Sequence, residues 1–191
     1  ELLKPPKLRG SVGETFLDNI LSQILPKALF NLQHTFPSGH RVDAVIKFGN
    51  KFLCVDSKFP MESFNKHIEK PENADFRKQF TQSIKKHVDD ISSRYILPQE
   101  GTLEISVMYI PAESIYYQFI ANEQEVFDYA LSKKVIPSSP GHLYGFLATM
   151  SAVYRETGLI NQGRQLSTCL NNLTDALQKL SGLHERMDGS V

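Results

Sequence analysis

Asp43, Asp56 and Lys58 are the residues of this chain best placed to do chemistry. Asp43 lies in Arg41-Val-Asp-Ala-Val-Ile-Lys-Phe48, and Asp56 and Lys58 lie in Lys51-Phe-Leu-Cys-Val-Asp-Ser-Lys58, with Gly49-Asn50 between the two runs. Gly-Asn between β-rich segments marks a two-residue hairpin, because Gly supplies positive φ without steric cost. The short loop fixes the register: Phe48 faces Lys51, Ile46 faces Leu53, Ala44 faces Val55, and Asp43 faces Asp56. Alternation then predicts one apolar face (Val42, Ala44, Ile46, Leu53, Val55) and an opposite face carrying Asp43, Asp56 and Lys58. Like charges directly opposed across strands destabilise a sheet. Mg²⁺ or Mn²⁺ offsets that repulsion, since such ions use one or two carboxylates plus waters and phosphates. The pattern is that of a metal-dependent nuclease site, and the plainer alternative is a solvated Asp-Lys pair.

A third acid is available in Glu14. Ser11-Val-Gly-Glu14 matches a capping box, yet Glu14 also aligns at helical spacing with Leu17, Leu21, Ile24 and Ala28, the inward stripe of its helix. An acid on that stripe needs a partner, and a metal would be one. Gly10 and Gly13 allow close backbone approach or simply punctuate the helix start. Lys78, Gln82 and Lys85 share a helix face that could follow a phosphate backbone; a solvated face is the alternative. His34, His40, His67, His142 and His184 show no ligand spacing and read as surface or loop residues. Tyr109, Tyr116, Tyr117 and Phe119 could stack on bases, although core packing is the commoner use of such rings. No Walker A loop, Gly-rich dinucleotide turn or Gly-x-Ser-x-Gly elbow is present.

The elements that must position these groups follow from spacing. A basic lead-in over residues 1–10 precedes a helix from Ser11 to about Phe30, and a short strand falls between Asn31 and Pro37. After the hairpin, Pro60 ends the second strand, and a polar segment with Lys66, His67, Lys70 and Pro71 leads into a helix over Asn73–Tyr95. Leu103 to Ile110 reads as a buried strand closed by Pro111. Two short helices follow over 112–120 and 123–134, then a brief edge strand at Val135-Ile136. Helices over 141–157 and 161–183 complete the chain, separated by Gly158. This order predicts an α/β fold, a small mixed sheet flanked by helices. The domain division is 1–10, 11–158 and 159–191. In the last part Leu159, Leu166, Leu173 and Leu180 recur every seven residues with Leu170 and Leu177 between them, an a/d-like seam. It fits a helix laid on its own domain better than a dimer seam.

Composition limits the partners. Lys plus Arg equals Asp plus Glu at 21 each, so any basic surface is local. Hydrophobic residues make up 41% of the 191, with 12 Phe and 7 Tyr, enough for a substantial core. Cys54 and Cys169 lie in unlike contexts without metal-ligand spacing, which reads as reduced thiols in a cytosolic protein. No apolar run reaches the roughly 20 residues of a membrane span, and no signal peptide is visible. The chain opens on Glu1, as an excised piece would, and an anchor or coiled coil upstream is compatible with that.

Several separated motifs resemble one known family. Leu8-Arg-Gly-Ser-Val-Gly-Glu14, Arg41-Val-Asp43-Ala-Val-Ile, Val55-Asp-Ser-Lys-Phe-Pro60, Met108-Tyr-Ile-Pro-Ala-Glu113 and Ser139-Pro-Gly-His-Leu143 look like the RmuC family of bacterial DNA recombination proteins. The likeness runs from about residue 8 to about residue 160. That family is placed in the PD-(D/E)xK nuclease superfamily and is implicated in restraining rearrangement at short inverted repeats. The resemblance implies a restriction-endonuclease-like core. It makes Asp43 the first motif acid, Asp56 the second, Lys58 the lysine and Glu14 the acid of the first core helix. Val precedes Asp43 where the superfamily name implies Pro, and the second acid is Asp rather than Glu; both departures keep the carboxylates. Family members typically carry an N-terminal membrane segment and a long coiled coil, which would put this domain on the cytoplasmic side of an anchored protein.

These readings converge on a Mg²⁺- or Mn²⁺-dependent phosphodiesterase acting on single-stranded, branched or hairpin DNA. Glu14, Asp43 and Asp56 would hold the metal, with the Ser57 carbonyl as a further ligand and Lys58 assisting the attacking water. The rivals are a nuclease fold that binds DNA structure without cutting it, and an oligomeric scaffold assembled through the C-terminal seam.

Overall fold

The computed structural model describes residues 9–157, with side chains from residue 13 to 153. Its centre is a mixed five-stranded sheet in the order β1-β2-β3-β4-β5. The strands are β1 (Phe30–Thr35), β2 (Arg41–Phe48), β3 (Lys51–Asp56), β4 (Thr102–Tyr109) and β5 (Val135–Ser138). β1 and β3 each run antiparallel to β2 between them, while β4 and β5 join in parallel to β3. The helices are α1 (Arg9–Ile24), α2 (Met61–Glu69), α3 (Ala74–Tyr95), α4 (Glu113–Asn122), α5 (Gln124–Ser132) and α6 (Pro140–Thr157).

The turn chemistry works as expected. Gly49 takes φ +60, and the β2/β3 register pairs Ala44 with Val55, Ile46 with Leu53 and Phe48 with Lys51. One further step along that register sets Asp43 against Asp56. The parallel strands need long crossovers, and both steps run the same way across the sheet. Crossovers of one hand then place their helices on one face. Accordingly α3 buries Phe80, Ile84, Val88 and Ile91 with Val45, Cys54 and Met108, joined by residues of α2, α4 and α5. On the other face α1 and α6 bury Leu17, Leu21, Leu143 and Leu147 against Ala44, Ile46, Leu53, Val55 and Tyr109. Asn73 caps α3 by accepting from the N–H groups of Asp75 and Phe76, the expected role of Asn at a helix start.

Four expectations are corrected. First, both faces of the hairpin are buried, because Val45 and Cys54 lie under α3 on the same side as the acids. Val42 also belongs to that side, with Phe36, where simple alternation put it with Ala44. The break coincides with Gln33 of β1, whose φ is +51. Second, α1 stops at Ile24, since Pro26 has no N–H to continue it and disfavours helical geometry at Leu25. Lys27–Leu29 is a 3₁₀ turn and Phe30 already begins β1. Third, α1 starts at Arg9 rather than at Ser11. Fourth, residues 61–69 are a helix rather than a polar lead-in. The helix expected over 161–183 and its leucine seam lie outside the described residues.

Candidate active site

The acid pair is held by the ends of β2 and β3 under the middle of α3. Asp43 and Asp56 are 3% and 1% exposed, a costly place for two facing carboxylates unless each oxygen is engaged. Asp43 Oδ2 accepts from the Ser57 N–H (2.8 Å) and from the Ser57 hydroxyl (2.9 Å). Its Oδ1 accepts from the Lys58 ammonium at 2.8 Å. Lys58 Nζ also donates to Asp56 Oδ1 at 3.4 Å, and the Lys58 N–H donates to Asp56 Oδ2 at 3.3 Å. Lys58 bridges the pair from the solvent side, its side chain 55% exposed.

A fifth residue closes the site from the other side. His87 Nε2 lies 3.2 Å from Asp56 Oδ2, a close polar contact without aligned hydrogen-bond geometry. Burial pushes the Asp56 carboxyl up, but His87 and Lys58 outweigh it and hold the group below the usual Asp range. Burial pulls Lys58 down, and the bond to Asp43 and the charge of Asp56 reverse this, leaving its pKa raised. Tyr95, whose hydroxyl donates to the Arg41 carbonyl at 3.1 Å, is pushed up to about 12 by burial and by Asp56. Sequence reading passed over His87 as one polar residue among several on α3. Its signal was position: it lies three residues after Ile84 and four before Ile91, on the inward stripe.

Glu14 sits on α1, in the layer across the sheet from α3. It is half-buried, and its Oε2 accepts from Gln33 Nε2 at 2.9 Å. The start of α1 nevertheless touches the site: a Cβ added at Gly13 would lie 3.3 Å from the Ser57 carbonyl oxygen. That close approach is one of the two uses the sequence leaves open for Gly13. Among the described residues no three His, Cys, Asp or Glu side chains converge on one point.

A cleft of about 490 Å³ opens beside Lys58, walled by α2 (Met61, Ser63, Lys66), by Gln79 and Ser83 of α3, and by Pro111. Lys78 and Gln82 are exposed on the same helix. Lys85 is engaged elsewhere: its ammonium lies 2.7 Å from Glu125 and 5.2 Å from the Tyr129 ring centre. The wall helix α2 is fastened by His67, which is buried rather than on the surface. His67 follows Phe64 by three residues, faces inward, stacks on Phe80 and meets Glu123 Oε1 at 2.6 Å. His34 is half-buried in β1 against Phe36 and Phe52; His40 and His142 are exposed. Of the four aromatic residues considered for base stacking, Tyr109, Tyr116 and Phe119 are buried and Tyr117 is 57% exposed. His184 lies outside the described residues.

Two buried carboxylates on a hairpin, bridged by a lysine two residues after the second, on the central strands of a mixed α/β sheet, define an acid–lysine site of the kind the sequence motifs imply. The chain belongs to the RmuC family, whose model matches residues 1–191. It is 30% identical over 185 residues to a DNA recombination protein RmuC homolog of Chlamydia trachomatis, covering 94% of this chain and 42% of the relative. Similarly named proteins of Zymomonas mobilis (24% identical, 97% of this chain, 43% of the relative) and Pseudomonas aeruginosa (22%, 91% and 41%) also match. The chain thus spans less than half the length of these curated relatives. No solved structure matches it. No helix among the described residues is long and apolar enough to cross a membrane.

Proposed function

We propose that this domain is a Mg²⁺- or Mn²⁺-dependent DNA phosphodiester hydrolase with a restriction-endonuclease-like core of the PD-(D/E)xK type. The observation that carries this is the facing of Asp43 and Asp56, both buried, across one hairpin with a half-exposed lysine as their bridge. Two carboxylates and one ammonium leave negative charge at the mouth of a cleft, and two carboxylates with phosphate and water are a sufficient oxygen set for Mg²⁺. When bound there, the ion would polarise the phosphoryl oxygen and lower the pKa of a bound water.

The chain's own groups have definite tasks in this reading. Ser57 pins Asp43 through Oδ2, which leaves Oδ1 on the Lys58 side. His87 fixes Asp56 from behind. Lys58 leaves the carboxylates for the phosphate, where its ammonium orients the attacking water and stabilises the pentavalent oxyanion. Glu14 and the Ser57 carbonyl are the further oxygen donors this reading would draw on. A DNA strand would enter along Gln79 and Ser83, with Lys78 and Gln82 alongside; Lys85 contributes only by leaving Glu125. The role would be in DNA recombination, limiting rearrangement at inverted repeats, within a longer protein anchored by a segment preceding this one.

The rival reading is a module that binds DNA structure without cutting it. Its support is that Lys58 already satisfies both carboxylates. Cleavage of labelled single-stranded, duplex and hairpin DNA in Mg²⁺ or Mn²⁺ separates the two. Metal-dependent cutting that is lost in both Asp56→Ala and Lys58→Ala supports the hydrolase. DNA bound in a salt-dependent manner but left intact would replace it with the binding module.

A further inference from the structure

Gln79 and Ser83 lie two turns and one turn before His87 on α3, so the cleft beside Lys58 extends from the acid pair toward the start of that helix along one stripe. Among the described residues neither side chain has a protein partner. The polar groups of the α2 wall are already engaged. The Ser63 hydroxyl donates to the Pro60 carbonyl at 3.1 Å, and Lys66 pairs with Glu62 at 2.8 Å. The lining also includes Pro60, Met61 and Pro111, apolar side chains that are half-buried.

Charge and size narrow the occupant. A groove that follows a phosphate backbone is lined by free cations. Among the described residues lining this cleft only Lys58 and Lys66 are basic, and Lys66 is paired. The volume of about 490 Å³ is that of a small-molecule pocket, enough for one nucleotide and too little for a duplex. A primary amide and a hydroxyl each donate and accept, as the edge of a nucleobase does, and that edge is free only when the base is unpaired. We infer that this cleft seats one unpaired nucleobase, bonded by Gln79 and Ser83 and lying on the apolar lining, with its phosphate at Lys58, so that the substrate is an unpaired DNA strand rather than a duplex. The place of the phosphate rests on the hydrolase reading above. Met61 and the two prolines contact the face of a base rather than its edge, and a flexible Met adapts to bases of either size.

The test is binding of a short labelled DNA strand by the whole chain, followed by fluorescence anisotropy with divalent ions chelated so that no strand is cut. The blunt duplex of that strand and the same strand made abasic are the comparisons. The parent should bind the single strand about tenfold or more tightly than either, the scale of one seated base. Gln79→Ala and Ser83→Ala should each weaken single-strand binding by about threefold to tenfold, the effect of one lost hydrogen bond. Duplex binding and thermal stability should not change, because neither side chain is buried in the core. Equal affinity for the three DNAs, or single-strand affinity untouched in both variants, would overturn the base seat. If duplex DNA were then cut in Mg²⁺ by the parent and not by Asp56→Ala, the hydrolase reading would stand without it. Single-strand binding that depends on Gln79 and Ser83, with no DNA cut in Mg²⁺ or Mn²⁺, would keep the base seat and remove the hydrolase.

Discussion

At the scale of single residues, Asp56 carries the heaviest load. It is 1% exposed, faces a second acid, and depends on Lys58 and His87 for its charge. Its folded pKa lies below the ordinary 3.8. The stability this adds is complete above that value and is lost as pH falls through the lower folded one. Lys58 is the mirror case: its contribution is complete below 10.5 and is lost only as pH rises through its raised folded value. Urea-denaturation midpoints in the absence of divalent ions should therefore hold just above the ordinary Asp range as far as Asp56 governs them. They should fall below about pH 4, and Asp56→Asn should reduce that acid limb. An acid limb of equal size in Asp56→Asn would show that the cluster does not govern it. The residue-level reading of the sequence found Asp43, Asp56 and Lys58 because the Gly49-Asn50 loop counts out their register. It passed over His87, whose signal was its place on the inward stripe of α3, and it could not see Gln33, since a left-handed glutamine leaves no local sequence signal.

At the scale of elements, α2 decides the shape of the cleft. Its Met61, Ser63 and Lys66 form one wall, and its inner side is fastened by His67 to Glu123 at the junction of α4 and α5. Removing one partner of a buried polar pair leaves the other without compensation, a loss of about 3 kcal/mol. His67→Ala should lower stability to urea by about that much and weaken DNA binding while leaving Mn²⁺ affinity unchanged. Loss of Mn²⁺ affinity in the same variant would mean that α2 supports the acid pair itself. The sequence hid this helix because its outward face (Glu62, Lys66, Glu69) reads as a polar loop, and its inward face buries only Phe64 and a histidine, with Met61 and Ile68 half-buried beside them. The strands and α3 were legible for the opposite reason: each has a periodic apolar face and a clear stop in Gly49-Asn50, Pro60, Asn73 or Pro111.

At the scale of the whole molecule, the sheet separates two cores. Phe80 is buried on the α3 side and Leu21 on the α1 side, with no exposure at either. Phe80→Ala and Leu21→Ala should each cost about 3–5 kcal/mol. Because the sites share no partners, the double variant should equal the sum within about 0.5 kcal/mol; a larger shortfall would mean that the sheet transmits strain between the layers. Cys54 lies in the first core, and burial pushes its thiol up to about 12. It should resist thiol reagents until the domain unfolds, which makes its labelling rate a direct report of opening. The sheet order was the least legible part of the fold. The β3–β4 and β4–β5 pairings join segments about 50 and 30 residues apart, and no local pattern encodes such contacts. Family membership accounts for the separated motifs: those at Glu113 and Ser139 meet at the start of α6, where the Glu113 carboxylate accepts from the Gly141 N–H.

The central claim is that the acid pair on this hairpin cuts DNA with a divalent ion. Its most direct measurement is the rate of cleavage of an end-labelled hairpin DNA in Mg²⁺ or Mn²⁺ by the parent chain and by Asp43→Asn, a variant that keeps the size of the side chain. The account predicts cutting by the parent that stops when the ion is chelated and falls at least about a hundredfold in the variant, the scale on which charge-stabilising groups act. Equal rates in the two proteins, or no cutting by the parent at any ion concentration, would contradict it.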